Sequence, residues 1–324
     1  MNAEPRHILL IQTAFLGDVI LATALLEKLH SFYPEARIDM LVRKGNESLL
    51  TGHPYLHEVL IFDKKDKARS LRQLIRGVRR RRYSIVINAQ RFFSSGLIAV
   101  LSGARQIIGY DKNPLAFGYS RKVKHQVGDG THEVARNQRL IAHLTDTKWV
   151  RPRLYPGQGA YAKVPQGESY VTISPTSVWF TKQWPGDKWA ALIRLLPAQD
   201  RIYLLGGPGD RAACEAIRKA AGRGGVYTKA GELSLLDSAA WMASAKMNYA
   251  NDSAPIHLAS AMNAPMTAVF CSTVPAFGFT PLSEQARVVE YAGELPCRPC
   301  GLHGHQACPE GHFRCAEIDP AKVR

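Results

Sequence analysis

Apolar runs of strand length alternate with helix-length stretches along the first half of the chain. The runs are rich in Ile, Leu and Val and lack regular polar positions, which is typical of parallel strands covered on both faces. The pattern predicts strands at residues 8–11, 37–42, 59–62 and 84–88, with helices at 19–32 and 64–82. Strands separated by helices indicate a parallel α/β sheet.

The same alternation restarts after a polar stretch rich in Pro and Gly at residues 152–167, which is predicted as an interdomain linker. The strands predicted beyond it lie at 170–174, 201–205, 247–250 and 266–270, and the helices at 188–196, 211–221, 234–244 and 255–262. We therefore predict two Rossmann-like domains with parallel sheets facing a central cleft, at residues 1–155 and 156–324. Residues 318–324 read as a helix start, so the natural chain is expected to continue.

Charge adds a clue to the partner. The chain has 42 Lys and Arg against 27 Asp and Glu, a net charge of +15. This excess suggests a polyanion: nucleic acid, an anionic membrane face or a phosphorylated substrate. The apolar content of 46% excludes a disordered chain. No run predicts a transmembrane helix, and the polar start at residues 1–7 does not lead into a secretory signal.

Ligands of open α/β sheets bind beyond the carboxyl ends of the strands. Asp18 follows the first predicted strand in Phe15-Leu-Gly-Asp18 and is either a general base or a helix N-cap. Lys182 follows strand 170–174 and either neutralises a phosphate or is a solvated surface lysine.

Two further segments also follow strands. The glycine turn that ends at Asp210 is neither Gly-x-Gly-x-x-Gly nor a P-loop, so dehydrogenase and NTPase fingerprints are missing. In the segment Asn251-Asp-Ser-Ala-Pro-Ile-His257, Asp252 or Ser253 caps a helix whose free N–H groups suit a pyrophosphate. His257 is either a packed helix residue or a ligand contact.

Taken in order, these segments resemble glycosyltransferase family 9, the bacterial heptosyltransferases of lipopolysaccharide core synthesis. The matching motifs are Gly17-Asp18, Lys182-Gln-Trp-Pro185, Ala230-Gly-Glu232, Asn251-Asp-Ser-x-x-x-His257, Cys271-Ser-Thr-x-Pro, Cys297-Arg-Pro-Cys300 and Cys308-Pro-x-Gly-His312. The resemblance implies a glycosyltransferase of the GT-B type, with an N-terminal acceptor domain and a C-terminal nucleotide-sugar domain. It also implies ADP-heptose as donor and an anionic glycolipid of the lipid A–core type as acceptor.

The resemblance further implies roles for individual residues. Asp18 matches the base that deprotonates the acceptor hydroxyl, and Lys182 matches the lysine on the donor phosphate. The remaining donor-binding candidates are Ser177, Asp210, Asp252, Ser253, Ala254 and His257. Ala254 stands where the family usually has Gly, so its methyl group is expected to narrow the approach to the diphosphate. The chain has no Asp-x-Asp motif, and we expect a metal-independent, inverting reaction that requires no cofactor.

Two clusters carry further candidate chemistry. The cysteines Cys297, Cys300, Cys308 and Cys315 have part of a zinc-site spacing, so they are either a structural zinc site, free thiols or disulfides. The basic stretch at residues 64–82 predicts an amphipathic helix with one cationic face. Its candidate contacts to anionic lipid or acceptor are Lys64, Lys65, Arg79 and Arg80; the alternative is a solvated face.

We therefore predict an inverting transferase of heptose from ADP-heptose to the lipopolysaccharide inner core. Cysteine usage and the basic stretch place it in the cytoplasm, peripheral at the inner face of the cytoplasmic membrane. The alternatives are a non-catalytic relative that binds a sugar nucleotide or glycolipid, and a transferase for a different sugar. Nucleic-acid binding is disfavoured because the basic stretch lacks interleaved aromatic residues.

Overall fold

The computed structural model of the protein describes residues 7–324 and divides into two compact units. The first unit comprises the described residues up to 127 together with 131–155, and the second comprises 128–130 and 156–324. Of the polar start at residues 1–7, all but His7 lies outside the described residues. No helix within residues 7–324 is long and apolar enough to cross a membrane.

The first unit is built on one six-stranded parallel sheet in the order β3-β2-β1-β4-β5-β6. Its elements are β1 (His7–Gln12), α1 (Leu16–Phe32), β2 (Arg37–Arg43), β3 (Glu58–Phe62), α2 (Lys67–Arg81), β4 (Ile85–Asn88), α3 (Phe93–Val100), β5 (Gln106–Tyr110), β6 (Arg121–Val123) and α4 (Glu133–Arg139).

The second unit has another six-stranded parallel sheet, ordered β12-β11-β10-β7-β8-β9. Its elements are α5 (Gln158–Tyr161), β7 (Tyr170–Ser174), α6 (Gly186–Leu195), β8 (Arg201–Leu204), α7 (Arg211–Ala221), β9 (Val226–Thr228), α8 (Leu235–Ser244), β10 (Met247–Asn251), α9 (Ala254–Ala261), β11 (Met266–Phe270), β12 (Ala286–Glu290) and α10 (Pro320–Val323). Read in the opposite direction, from β9 to β12, the second sheet has the order β9-β8-β7-β10-β11-β12, which repeats the order of the first sheet.

Both faces of the first sheet are covered, which explains its apolar strands. Leu9 and Ile11 belong to a core cluster with Val78 of α2 and Ile98 of α3. Successive strand residues point to opposite faces, so the neighbouring Leu10, also fully buried, faces the other side. The predicted α/β class is therefore confirmed for both units.

The predicted elements were found, with shifted ends, and several elements were missed. The first helix begins at Leu16 rather than at residue 19, and α2 begins at Lys67 rather than at residue 64. The predictions omitted β5, β6, β9, β12, α3 and α4, because these elements are short or only partly apolar. The predicted linker at 152–167 contains α5 and the buried side chains of Leu154 and Val164, so part of it packs.

The strand order locates the binding edge of each sheet. A ligand crevice forms beyond the carboxyl ends of the strands where the order reverses, which is between β1 and β4 in the first unit. The corresponding position in the second unit lies between β7 and β10. The segments that carry Asp18, Lys182 and Asp252 all begin at one of these two positions.

Candidate active site

Asp18 lies in the first turn of α1, directly beyond β1 in the first unit. The residue that caps α1 is Phe15, whose side chain makes no capping bond. The N-cap interpretation of Asp18 is therefore wrong, because the helix starts two residues before it. The position leaves the carboxylate among the first backbone N–H groups of the helix, where a negative charge is favoured.

The surroundings of Asp18 shift its acidity strongly. Burial, and then the negative charge of Glu133, raise the pKa of Asp18 to about 7 from an ordinary value of 3.8. Backbone N–H groups and the charge of Arg91 lower this pKa and offset only part of the rise. A carboxyl with a pKa near neutrality is suited to accept a proton at physiological pH.

A buried polar network that the sequence analysis did not identify lies behind Asp18. Glu133 of α4 is 7% exposed, and burial raises its pKa. Its carboxylate accepts a bond from Arg136 Nε at 2.8 Å, and Arg136 is also buried. The hydroxyl of Tyr110 donates to Asn137 Oδ1 at 2.7 Å, which ties the end of β5 to the same helix. An acid and a base spaced i, i+3 were the sequence signal available for this network.

In the second unit, Lys182 and Asp252 form an ion pair. Lys182 Nζ lies 2.8 Å from Asp252 Oδ2, and the two side chains are 14% and 6% exposed. The hydroxyl of Thr273 donates to the same oxygen of Asp252 at 2.5 Å. Lys182 is thus not a solvated surface lysine, as the alternative held, but a largely enclosed ammonium fixed at the carboxyl end of the sheet.

Asn251 holds the two loops of this site together. Its Nδ2 donates to the carbonyl of Pro175 at 2.6 Å, and its Oδ1 accepts from the backbone N–H of Trp184 at 2.9 Å. Trp184 is buried and packs edge-on against Trp189 of α6. The loop that carries Lys182 is therefore anchored on both sides. Within the Lys-Gln-Trp-Pro sequence, the buried Trp184 is one of these anchors.

The start of α9 follows β10, at the same edge of the second sheet. Ser253 is the N-cap, as predicted, but its hydroxyl makes no capping bond and instead donates to Asn251 O at 3.3 Å. Pro255 falls in the first turn, as predicted, and His257 is buried against Phe279. Ala254 is the first helical residue, so its backbone does not require glycine. The expected effect of its methyl group on a diphosphate stays a prediction.

Two buried hydroxyls at this edge have no hydrogen-bond partner among the described residues. They belong to Ser174, at the end of β7, and to Ser272, just beyond β11. Buried polar atoms are normally paired, so these two hydroxyls have hydrogen-bonding capacity that the described residues do not use.

Ser177 and Asp210 are placed differently from the ion pair. The backbone carbonyl of Ser177 accepts from Gln183 Nε2 at 2.8 Å, so Ser177 belongs to the loop of Lys182. Asp210 instead accepts from the backbone N–H of Gly207 at 2.7 Å and closes the glycine turn after β8. Gly231 is required here because its φ is +77° and an added Cβ would lie 2.8 Å from Pro208 Cα.

The cysteine segment packs beside Lys182. The backbone of Thr181 donates to His305 O at 3.1 Å, and a Cβ on Gly304 would lie 3.3 Å from Lys182 Cγ. Cys297 Sγ lies 3.9 Å from His312 Nε2, Cys308 accepts from a backbone N–H, Cys300 donates to a carbonyl, and Cys315 belongs to the core cluster. Among the described residues, these side chains do not form a group of three ligands that all lie within 4.8 Å of one another. The geometry does not support the predicted zinc site.

The structure divides the basic candidates into two places. Lys64 Nζ donates to the carbonyl of Thr13 at 2.8 Å, next to the turn that precedes Asp18. Lys65 is exposed beside it. Arg79 and Arg80 are exposed at the far end of the 15-residue α2, about 22 Å away along the helix axis. These four residues therefore cannot bind one phosphate together.

Solved structures identify the fold. The structure of E. coli ADP-heptose lipopolysaccharide heptosyltransferase II is 21% identical, with a TM-score of 0.79 over 98% of this chain and 96% of that one. E. coli heptosyltransferase WaaC with ADP is 22% identical, with a TM-score of 0.74 over 87% and 92%. The fold is that of the GT-B glycosyltransferases.

The sequence comparison identifies the family. The model of glycosyltransferase family 9 (heptosyltransferase) matches residues 71–307, so the chain belongs to this family and is a glycosyltransferase. Lipopolysaccharide heptosyltransferase 1 of Pseudomonas aeruginosa is 28% identical over 315 residues, covering 91% of this chain and 86% of the relative. Lipopolysaccharide heptosyltransferase 3 of E. coli is 27% identical, covering 80% and 82%.

Proposed function

We propose that the protein transfers heptose from ADP-heptose to the inner core of lipopolysaccharide, with inversion at the anomeric carbon. The observation that carries this proposal is the carboxyl of Asp18, which has a pKa of about 7 and lies at the reversal point of the first sheet. The relatives from P. aeruginosa and E. coli named above are lipopolysaccharide heptosyltransferases, which supports this donor and acceptor.

The proposed reaction is a single displacement. Asp18 accepts the proton of an acceptor hydroxyl, whose oxygen forms a bond to the anomeric carbon of the heptose. The bond from that carbon to the diphosphate oxygen breaks, and ADP departs with the electron pair. Asp18 ends protonated, so atoms and charge balance. In this scheme the first unit, residues 1–155, binds the acceptor.

The second unit, residues 156–324, is proposed to bind the donor. Lys182 supplies a positive charge to the departing diphosphate, and the N–H of Ala254, the first residue of α9, supplies a hydrogen bond. Pro255 has no N–H, and that of Ile256 donates to Ser253 O. The ion pair with Asp252 makes Asp252 a positioning residue for Lys182. Because these groups stabilise the leaving diphosphate, we propose that the reaction requires no metal ion.

The remaining donor-binding candidates differ in how well their positions support a contact to the donor. Ser177 and Ser253 lie on the two loops that meet at Asn251, and the unpaired hydroxyls of Ser174 and Ser272 lie at the same edge. Asp210 accepts a hydrogen bond from the backbone N–H of Gly207, and this structural role explains the residue without any contact to the sugar-nucleotide donor.

We further propose that the enzyme works at the cytoplasmic face of the inner membrane. The exposed basic residues of α2 support this, because anionic lipid attracts such a face. Lys64 and Lys65, near the turn before Asp18, are proposed to contact phosphate groups of the acceptor instead.

The donor proposal is tested by thermal melting with ADP-heptose, ADP, UDP-glucose and GDP-mannose. A ligand that binds the folded state raises its stability, so ADP-heptose and ADP should raise the melting temperature of the wild type. Lys182→Ala should lose most of this rise, whereas Lys219→Ala, an exposed lysine of α7, should keep it. Preference for a UDP- or GDP-sugar would overturn the donor assignment.

The catalytic proposal is tested separately by transfer to lipid A–core acceptor. Asp18→Asn should bind ADP-heptose normally but lose transfer by about 100-fold or more, because removal of a general base costs this much. Wild-type protein that binds donor and shows no transfer would favour the non-catalytic alternative. An Asp18→Asn variant with wild-type rate would disprove the base assignment.

A further inference from the structure

Two histidines and an aspartate converge at the amino ends of the strands in the first unit, away from Asp18. His7 Nε2 lies 2.9 Å from Asp39 Oδ2, and His57 Nδ1 lies 2.9 Å from Asp39 Oδ1. Within residues 7–324, this is the one group of three His, Cys, Asp or Glu side chains whose ligand atoms all lie within 4.8 Å of one another. We propose that His7, Asp39 and His57 form a binding site for Zn²⁺ or a similar divalent transition metal.

The ligand types fit such an ion. Imidazole nitrogen and carboxylate oxygen bind Zn²⁺ at about 2.0–2.2 Å, and three protein ligands with one open position form a common zinc set. Ligand atoms around one such ion lie roughly 3.3 Å apart. The two contacts of 2.9 Å reach different oxygens of Asp39, and the ligand atoms of all three residues lie within 4.8 Å of one another, so small side-chain shifts would bring them to one ion.

The hydrogen bonds of His7 favour a cation between it and Asp39. The other ring nitrogen, Nδ1, lies 3.2 Å from the carbonyl of Arg81, which only accepts, so Nδ1 carries a hydrogen. A neutral ring then presents the lone pair of Nε2 to the carboxylate of Asp39. Two acceptors at 2.9 Å repel each other unless a second proton or a metal ion lies between them.

The surrounding groups have the arrangement that metal ligands require. A ligating histidine usually donates its other N–H to a carbonyl or carboxylate, as His7 does to Arg81. The hydroxyl of Tyr83 donates to Asp39 Oδ2 at 2.6 Å and orients the carboxylate.

The charge balance also leaves a place for a cation. Asp39 is fully buried, and an isolated buried carboxylate is costly unless a positive group compensates it. The nearby guanidinium of Arg81 is engaged by Glu58, with contacts of 2.6 and 2.9 Å. His57 is 48% exposed, so the site has a route for metal entry and room for a water ligand.

A metal here would join five parts of the first unit. It would bind β1 and β2 through His7 and Asp39 and the residue before β3 through His57, and through hydrogen bonds it would tie the end of α2 and the start of β4. Binding should therefore stabilise the fold of this unit without touching the site of Asp18.

The test uses purified full-length protein that is stripped with a chelator and titrated with Co²⁺ and Zn²⁺. We expect one Co²⁺ with the weak visible bands of a nitrogen–oxygen site and a rise in melting temperature. Because protons compete with a metal for imidazole, binding should weaken in acid. His57→Ala should weaken binding by about tenfold or more, since losing even a supporting group costs this much.

Two variants serve as controls. His143→Ala removes an exposed histidine of the same unit and should bind like the wild type. The double variant Cys297→Ser/Cys308→Ser excludes the thiols, whose cobalt complex shows intense thiolate charge-transfer absorption, and it should also bind normally. His7→Gln should lose binding as His57→Ala does.

Each outcome of these measurements assigns the metal to a different site or to none. If the folded His57→Ala protein binds Co²⁺ as the wild type does, the site is not the three residues proposed. If binding vanishes only in the cysteine variant, the metal belongs to the cysteines. If the folded wild type binds no metal, the cluster is an imidazolium–carboxylate clamp and the proposal is wrong. None of these outcomes depends on transfer activity, so the proposed function is tested independently.

Discussion

Asp18 and Glu133 show how one carboxyl acquires a working pKa. Both carboxyls are in low-dielectric surroundings, and each negative charge disfavours the other. Burial raises the pKa of Glu133, and the charge and hydrogen bond of Arg136 oppose that rise. Asp18 has no such ion pair within the described residues, and its pKa reaches about 7.

The pH dependence of transfer should follow Asp18. Its basic form is the deprotonated one, and the pKa is about 7, so the rate at saturating substrate should rise with pH and level off above about 8. Stopped assays from pH 5.5 to 9 measure this profile. Glu133→Gln removes the neighbouring charge, so the midpoint of the profile should move to lower pH. A midpoint that stays in place would show that Glu133 does not act on Asp18.

Asp18→Asn should also stabilise the fold at alkaline pH. The folded pKa lies above the unfolded one, so ionisation costs folding free energy progressively from about pH 4 to 7 and fully above pH 7. The neutral amide avoids that cost, and we expect a gain on the order of 1–3 kcal/mol at pH 8 and a smaller gain at pH 5. Urea denaturation at both pH values measures it.

The matched control is Asp187→Asn, which removes an exposed acid from the first turn of α6. It should give no gain at either pH, because a solvated acid favours the helix start. An equal gain in both variants would assign the effect to the helix end rather than to burial.

At the scale of the element, α2 has an apolar face and a basic face. Its residues Leu71, Leu74 and Ile75 pack against the core, while its basic residues are exposed, as the periodicity predicted. The exposed Arg79 and Arg80 at its C-terminal end are free of the ion pair that Arg81 makes with Glu58. This end is therefore the part of the helix suited to an anionic surface.

Arg79→Ser/Arg80→Ser should reduce binding to vesicles that contain phosphatidylglycerol by roughly thirtyfold, because each of the two basic residues contributes about 1 kcal/mol near such a surface. Co-sedimentation at low and high salt measures this, and added salt should weaken the wild type. Lys219→Ser/Lys322→Ser removes the same charge from exposed positions in the second unit and should leave binding unchanged. Equal losses in both variants would indicate attraction by net charge alone.

At the scale of the whole molecule, the two units repeat one strand order and carry different chemistry. The first unit has an acid pair at its reversal point, and the second has an enclosed ammonium, a helix start and unpaired hydroxyls. In the proposed function, the first unit supplies the proton acceptor and the second unit supplies the anion site, which are the two requirements of a transfer reaction.

ADP alone should therefore protect one unit and not the other. We expect slower hydrogen exchange in the loop 175–185 and at the start of α9, because a ligand suppresses local opening where it binds. The amides of α1 and α4 should exchange at unchanged rates. Protection centred on the glycine turn of Asp210, with none at α9, would move the donor site to β8.

The sequence alone determined the α/β class, the two repeated units and the segments that end at the binding edges. It could do so because buried parallel strands need uninterrupted apolar runs, and because strands and helices have different periods. The order of Asp18, Lys182 and the Asn251–His257 segment along the chain was enough to indicate the family, which the family match then confirmed.

Only the tertiary structure decided which side chains meet. Residues far apart in sequence form the pairs Asp18–Glu133 and Lys182–Asp252 and the group His7, Asp39 and His57. It also assigned Asp210 to a turn and separated Lys64 from Arg79 along α2. Local sequence patterns encode which face of a helix or strand is buried. The charge and the hydrogen-bond partners of a buried side chain depend instead on elements that are distant in the sequence. The acidity of Asp18 therefore could not be obtained from its neighbours in the chain.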